Sequence, residues 1–307
     1  MSSVVLMVSA GLLVRSLVML ARFLHMTEFV IAFVLMAVST SLPELFVGIS
    51  AGRSGNASLA LGNVIGSNII DLTLILGLTV ILARGIPVRN PLIKTDALWM
   101  TAIAALPVAL MFVGNELSQI DGLVLLATFM IYLFHLMHER QSFPKLVQNH
   151  VTHWKGIAHL ILFVGSVTVL YFSARTVVES GTNLAIDLSL PRIFIGLFFV
   201  ALGTSLPELA FGVISIVRKH PQLNIGDLMG SVVANSTLVL GVTALITPIQ
   251  TDFLLFITSS LFMVFVCFLF ATFVEKGREI TWKEGVTLVF VYILFLMVEL
   301  NLNYVLR

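Results

Sequence analysis

The residues able to do chemistry in this chain are gathered in two short, repeated stretches. Ser39-Thr40-Ser41-Leu42-Pro43-Glu44 recurs as Gly203-Thr204-Ser205-Leu206-Pro207-Glu208. A second pair follows: Gly62, Gly66, Ser67 and Asp71, then Gly226, Gly230, Ser231 and Asn235. Together they offer the carboxylates of Glu44, Glu208 and Asp71, the amide of Asn235, and the hydroxyls of Thr40, Ser41, Ser67, Thr204, Ser205 and Ser231. Every one of these groups presents oxygen, and neither a histidine nor a thiol is among them. That donor set suits a hard cation, Ca2+ above all or Na+, and disfavours zinc and copper. Mg2+ gives up its water reluctantly and fits less well where the ion must be stripped.

The prolines carry a structural consequence. A proline inside a helix removes one backbone donor and crowds the carbonyl four residues earlier, here those of Ser39 and Gly203. Neighbouring carbonyls loosen with them, so Ala37, Thr40, Ala201 and Thr204 are expected to turn oxygens toward a cation. Irregular backbone of this kind survives at membrane depth only where protein or a cavity satisfies it. One such motif is as readily a simple kink. Two, at matched positions and each with a glutamate, favour function, because an ionisable group in a membrane span is costly. Ser67 and Asp71 share a helix face, as do Ser231 and Asn235, being about one turn apart. The glycines read as packing devices that bring this face against the glutamate helix. Asp227, which matches Asn63, reads as a helix-end or vestibule group and not as a ligand.

Composition dictates what holds these residues. The chain has 307 residues, 58% hydrophobic and 11% charged, with mean hydropathy +1.06. Soluble chains carry about 25% charged residues, so this is an all-α integral membrane protein; its apolar runs are continuous and helix-length, unlike the alternating strands of a barrel. A net charge of +1 creates no field for nucleic acid. The single cysteine, Cys267, excludes an internal disulfide or a cysteine metal cage. The N-terminal residues lack the basic n-region of a signal peptide, and the first apolar run reads as a retained helix.

Ten transmembrane helices are expected, at 4–24, 27–52, 57–83, 95–114, 119–138, 156–179, 191–217, 222–247, 250–274 and 282–304. The first five form a repeat over 1–138, the second five a repeat over 156–307, and the polar segment 139–155 joins them. Residues 29–80 align with 193–244 without a gap, which defines repeated motifs at 37–77 and 201–241. Five is odd, so the second copy crosses the membrane in the opposite sense, the inverted-topology repeat of many secondary transporters. Basic residues near the span ends favour both termini outside and the 138–155 loop in the cytoplasm: twelve then lie inside and three outside.

The paired Thr-Ser-Leu-Pro-Glu and Gly-Ser-x-x-x-Asp/Asn blocks resemble the two alpha repeats of the calcium/cation antiporter superfamily, and most of all its prokaryotic Na+/Ca2+ exchanger branch. The resemblance implies that Glu44 and Glu208 hold one Ca2+, with the backbone carbonyls of Thr40 and Thr204 completing its shell. It implies flanking Na+ sites, one from Ala37, Ser41 and Ser231 with Glu44, the other from Ala201, Ser205 and Ser67 with Glu208. Asp71 and Asn235 would occupy the centre, and the first and sixth spans would slide to expose the cluster to either side. Here Asp71 and Asn235 reverse the amide-then-carboxylate order of the archaeal exchangers, and Ser39 replaces the usual glycine.

The expected function is therefore a secondary-active antiporter that exchanges Ca2+ for Na+ by alternating access. It would be no enzyme and need no cofactor, working as a monomer in the cell membrane with Ca2+, Na+ and the lipid bilayer as its only partners and no nucleic acid among them. A Ca2+/H+ or K+-dependent exchanger is the nearest alternative. An intramembrane di-acidic enzyme or a passive cation channel is more distant; the enzyme reading leaves the duplicated hydroxyls and the repeat without a role.

Overall fold

The computed structural model describes residues 2–24, 27–53, 55, 57–88, 91–139, 153–187, 201–250 and 253–305. Ten helical segments follow one another among them: α1 Ser2–Leu24, α2 28–53, α3 57–83, α4 Pro91–Gly114, α5 Gln119–Glu139, α6 His153–Asp187, α7 201–217, α8 221–246, α9 Phe253–Lys276 and α10 Trp282–Val305. Seven stretches among the described residues are long and apolar enough by themselves to cross a membrane. The chain is thus an all-α membrane protein of two five-helix repeats. Helix α6 extends to Asp187, past the expected end at 179. The expected start of the seventh span at 191, and residues 140–152 of the linker with His150, lie outside the described residues.

The chain divides into two compact units, Met1–Pro43 with Met130–Ser231, and Glu44–Phe129 with Val232–Arg307. Each draws on both repeats. In the first unit, α1 lies along α6 and α7 over a core that includes Leu13, Leu17, Phe163, Leu170 and Phe211. The expected close approach of the glycine face is realised where α8 meets α2. A Cβ on Gly230 would stand 2.8 Å from the Phe33 carbonyl oxygen, and one on Gly226 would stand 3.1 Å from the Ala32 Cβ. The positions matching Phe29 and Phe33 against Gly62 and Gly66, residues 193 and 197, lie outside the described residues.

In the second unit, contacts between the repeats occur in reciprocal pairs. A Cβ on Gly77 would come within 2.8 Å of the Gly285 carbonyl, and one on Gly241 within 3.0 Å of the Gly122 carbonyl. Ile86 pairs with Ile280 in a short antiparallel ladder, and Leu117 pairs with Ile249 in an antiparallel bridge. The N-termini of α5 and α10 carry matching capping boxes: Ser118 Oγ donates to Asp121 at 2.7 Å, and Thr281 Oγ1 donates to Glu284 at 2.9 Å. Each contact recurs with the two repeats exchanged, the mark of a two-fold relation in which i meets j and j meets i. The sequence repeat, clear over 29–80, therefore extends to the last helix.

Backbones this close leave no room for a methyl group. Gly77→Ala and Gly241→Ala should each lower stability by about 1–3 kcal/mol, the usual cost of overpacking, measured as the unfolding midpoint of the purified protein. Gly165→Ala, on an exposed part of α6 where nothing described lies within 4 Å, should shift it by no more than about 1 kcal/mol.

Candidate functional site

The proline motifs act on the backbone one turn before each glutamate. Ser41 adopts φ −78°, ψ 2° and Ser205 φ −91°, ψ 9°, away from the helical ψ near −42°. Helix resumes at Leu42 and Leu206, which puts Glu44 and Glu208 in the first turns of new helices. The N-terminal end of a helix favours negative charge, so each break both frees oxygens and supports a carboxylate. Both glutamates are buried, 1% and 2% exposed. The hydroxyls of Ser41 and Ser205 are buried with no hydrogen-bond partner among the described residues. The Ala37 carbonyl keeps the Ser41 N–H at 3.0 Å and also has the Thr40 hydroxyl at 3.3 Å. Thr204 is half-buried, and Ala201 opens the described part of α7. Ser39, the residue in place of glycine, donates its hydroxyl to the Leu35 carbonyl at 2.7 Å, a back-bond that spends it on its own helix.

In the first unit, Thr40 links two helices. Its Oγ1 has Asp227 Oδ1 at 3.1 Å and the Met36 and Ala37 carbonyls of its own helix at 3.2 and 3.3 Å as acceptors for its one proton, and lies 3.3 Å from Ser231 Oγ. The helix-end reading of Asp227 is therefore incorrect. The residue sits in the second turn of α8 and is fully buried, because Gly226 and Gly230 pull α8 against α2 and enclose its carboxylate.

In the second unit, Ser67 donates to Glu44 Oε1 at 3.2 Å. Asp71 and Asn235 are both buried, and each begins a five-residue π-helical turn, Asp71–Ile75 and Asn235–Val239. Such turns widen a helix locally and recur at functional sites. Asn235 is oriented by Asn68, a residue the motifs did not single out. Asn68 Nδ2 donates to Ser236 Oγ at 3.0 Å, which turns Asn68 Oδ1 toward Asn235 Nδ2 at 3.2 Å. The Asn235 donor is thereby engaged, and its Oδ1 is left buried with no partner among the described residues. The network thus presents an amide oxygen, the atom a cation needs. The only sequence signal for Asn68 and Ser236 was a mismatch between repeats: their counterparts are Val232 and Leu72.

Elsewhere, Glu299 accepts from Ser259 at 3.1 Å. Among the described residues no three histidine, cysteine, aspartate or glutamate side chains form a metal-holding group.

Comparison with known proteins gives concordant matches. The family model described as sodium/calcium exchanger protein matches residues 1–138 and 148–300. The chain is 29% identical to inner membrane protein YrbG of Escherichia coli, over 86% of this chain and 83% of that one. It is 27% identical to sodium/calcium exchanger MaX1 of Methanosarcina acetivorans, over 93% and 92%. The sodium-calcium exchanger NCX_Mj, solved after soaking with 10 mM Na+ and 10 mM Sr2+, superposes with a TM-score of 0.84 at 25% identity, covering 96% of this chain and 95% of that one.

The amide network is testable through stability alone. Asn68→Leu strands the Asn235 amide donor and should cost about 1–3 kcal/mol, the penalty of an unmet buried polar group. In a double-mutant cycle with Ser236→Ala, the two substitutions should couple by about 0.5–2 kcal/mol, whereas independent sites would add. Unfolding midpoints of the four proteins provide the measurement.

Proposed function

The chain belongs to the sodium/calcium exchanger protein family, and on that premise we propose that it is a secondary-active antiporter exchanging Ca2+ for Na+ by alternating access. One observation carries the site assignment: Glu44 and Glu208 are buried in the first turns after matched proline breaks. Taking a divalent cation out of water requires compensating charge, and two carboxylates supply it at no cost in bound protons. Glu44, assisted by Ser67, and Glu208 take the Ca2+ together with the carbonyls of Thr40 and Thr204. Na+ replaces it at two flanking sites, one from Ala37, Ser41 and Ser231 with Glu44, the other from Ala201, Ser205 and Ser67 with Glu208, each pairing neutral oxygens with one carboxylate that balances a single charge. The resemblance assigns Asp71 and Asn235 the central position; in support, Asn68 engages the Asn235 amide nitrogen and leaves its oxygen over.

A carrier of this kind needs its site open to one side at a time, which is why the breaks matter. A helix interrupted at Ser41 or Ser205 can pivot there without breaking a full ladder of backbone bonds. Helices α1 and α6, packed along each other in the first unit, are the elements proposed to slide. The basic residues favour both termini outside and the 138–155 loop in the cytoplasm of a cell-membrane monomer. Ca2+ and Na+ are substrates, and no cofactor or catalytic chemistry is involved.

The test is uptake of radiolabelled Ca2+ into proteoliposomes driven by an outward Na+ gradient, with K+ and H+ gradients as comparisons. The wild-type protein should take up Ca2+ with Na+, and Glu44→Gln or Glu208→Gln should each reduce the rate at least 100-fold, an effect of roughly 2.7 kcal/mol or more. Uptake indifferent to Na+, or surviving either substitution, would refute the assignment.

A further inference from the structure

The first unit holds an acid that the repeated motifs leave out. Asp227 is 0% exposed. Its Oδ1 accepts the Thr40 hydroxyl at 3.1 Å, and its Oδ2 has no hydrogen-bond partner among the described residues. No lysine, arginine or histidine among the described residues pairs with it. An ionised carboxylate in a low-dielectric interior is tolerated only when paired or bound to a cation. One hydroxyl does not meet that demand.

We infer that Asp227 is a cation ligand which, with Thr40 and Ser231, gives this unit a subsite for a monovalent cation. The geometry supports it in three ways. Thr40 Oγ1 stands 3.1 Å from Asp227 Oδ1 and 3.3 Å from Ser231 Oγ. The Met36 and Ala37 carbonyls, at 3.2 and 3.3 Å, compete for the Thr40 proton; when Ser231 donates to Thr40 and Thr40 to Asp227, both protons run toward the carboxylate, and lone pairs on Ser231 Oγ and Asp227 Oδ2 remain for an ion. Next, one carboxylate among neutral hydroxyls balances a single charge, whereas Ca2+ calls for six to eight oxygens and more than one carboxylate. Finally, the first-repeat counterpart is the neutral, half-buried Asn63. The negative charge is therefore placed on one side of the repeat only, next to Thr40 and Ser231, and it biases that side toward Na+. The identity of the ion rests on the exchange reading above; the existence of the subsite rests on Asp227 and its two partners.

The experiment titrates Na+ against choline at constant ionic strength without Ca2+, and separately Ca2+ in choline without Na+, into the purified protein, following the thermal unfolding midpoint. Asp227→Asn keeps the shape and an oxygen for the Thr40 hydroxyl but removes the charge. It should raise the half-saturating Na+ concentration about tenfold, equivalent to losing one moderate ionic contact, and raise the half-saturating Ca2+ concentration less. Asp227→Glu, which keeps the charge, should restore most of the Na+ response; a residue that only anchors Thr40 would give the opposite order. Should Asp227→Asn not fold, Ser231→Ala removes a neutral member of the same cluster and should weaken the Na+ response several-fold. Superimposable Na+ titrations, equal Na+ and Ca2+ shifts, or a wild-type midpoint indifferent to Na+ each overturn the inference. Failure of the exchange reading is seen separately, as wild-type proteoliposomes that take up no Ca2+ on a Na+ gradient.

Discussion

In hydrocarbon no water answers a buried oxygen, so each must be satisfied within the chain or by an ion. Most hydroxyls here comply through their own helix. Thr79 and Thr243 donate back to the carbonyls of Ile75 and Val239, and Thr73 and Thr237 to those of Ile69 and Val233. Ser41, Ser205, the Asn235 oxygen and Asp227 Oδ2 break that rule. All four sit at or near a departure from regular helix: a proline break, a π-helical turn, or the tight α2–α8 approach. The usual economy of membrane hydrogen bonding is suspended at these atoms, as it is at Ser166, Ser215, Ser260 and Tyr292, whose buried hydroxyls also lack a partner among the described residues; Ser41, Ser205, Asn235 and Asp227 are set apart by lying in or beside the repeated motifs.

Duplication makes this suspension affordable. The reciprocal glycine contacts of the second unit, its twin antiparallel pairings and its twin capping boxes form a rigid frame that holds α3, α5, α8 and α10 by backbone approach. Close packing of this type, without large side chains, suits a membrane interior where apolar residues gain nothing by leaving lipid. The frame is nearly symmetric and the polar residues of the repeated motifs are not. Asp71 matches Asn235, Asn68 matches Val232, Leu72 matches Ser236, and Asn63 matches Asp227. A near-symmetric scaffold thus carries unequal polar groups at equivalent positions.

Much of this was legible in the sequence because membrane helices are written in hydropathy and the repeat is written in identities. The spans, the proline breaks and the oxygen-only donor set required no coordinates. Asp227 was misread because a residue one place after a glycine looks like a helix edge until the partner helix is known. Asn68 was passed over because an asparagine beside a Gly-Ser pair gives no hint of the Asn235 amide that it orients. Both depend on contacts spanning more than 160 residues, beyond the reach of local pattern.

The amino-acid order alone determined that this chain crosses the membrane as two related halves and that its polar interior offers oxygen to a hard cation. Those properties follow from composition and periodicity, which act residue by residue. Tertiary structure decided which oxygens are spent and which are left over. That the Thr40 hydroxyl meets Asp227 as well as the carbonyls of its own helix, and that Asn235 engages its nitrogen and leaves its oxygen over, is decided by what the neighbouring helix brings within about 3 Å, since hydrogen bonds are short and directional.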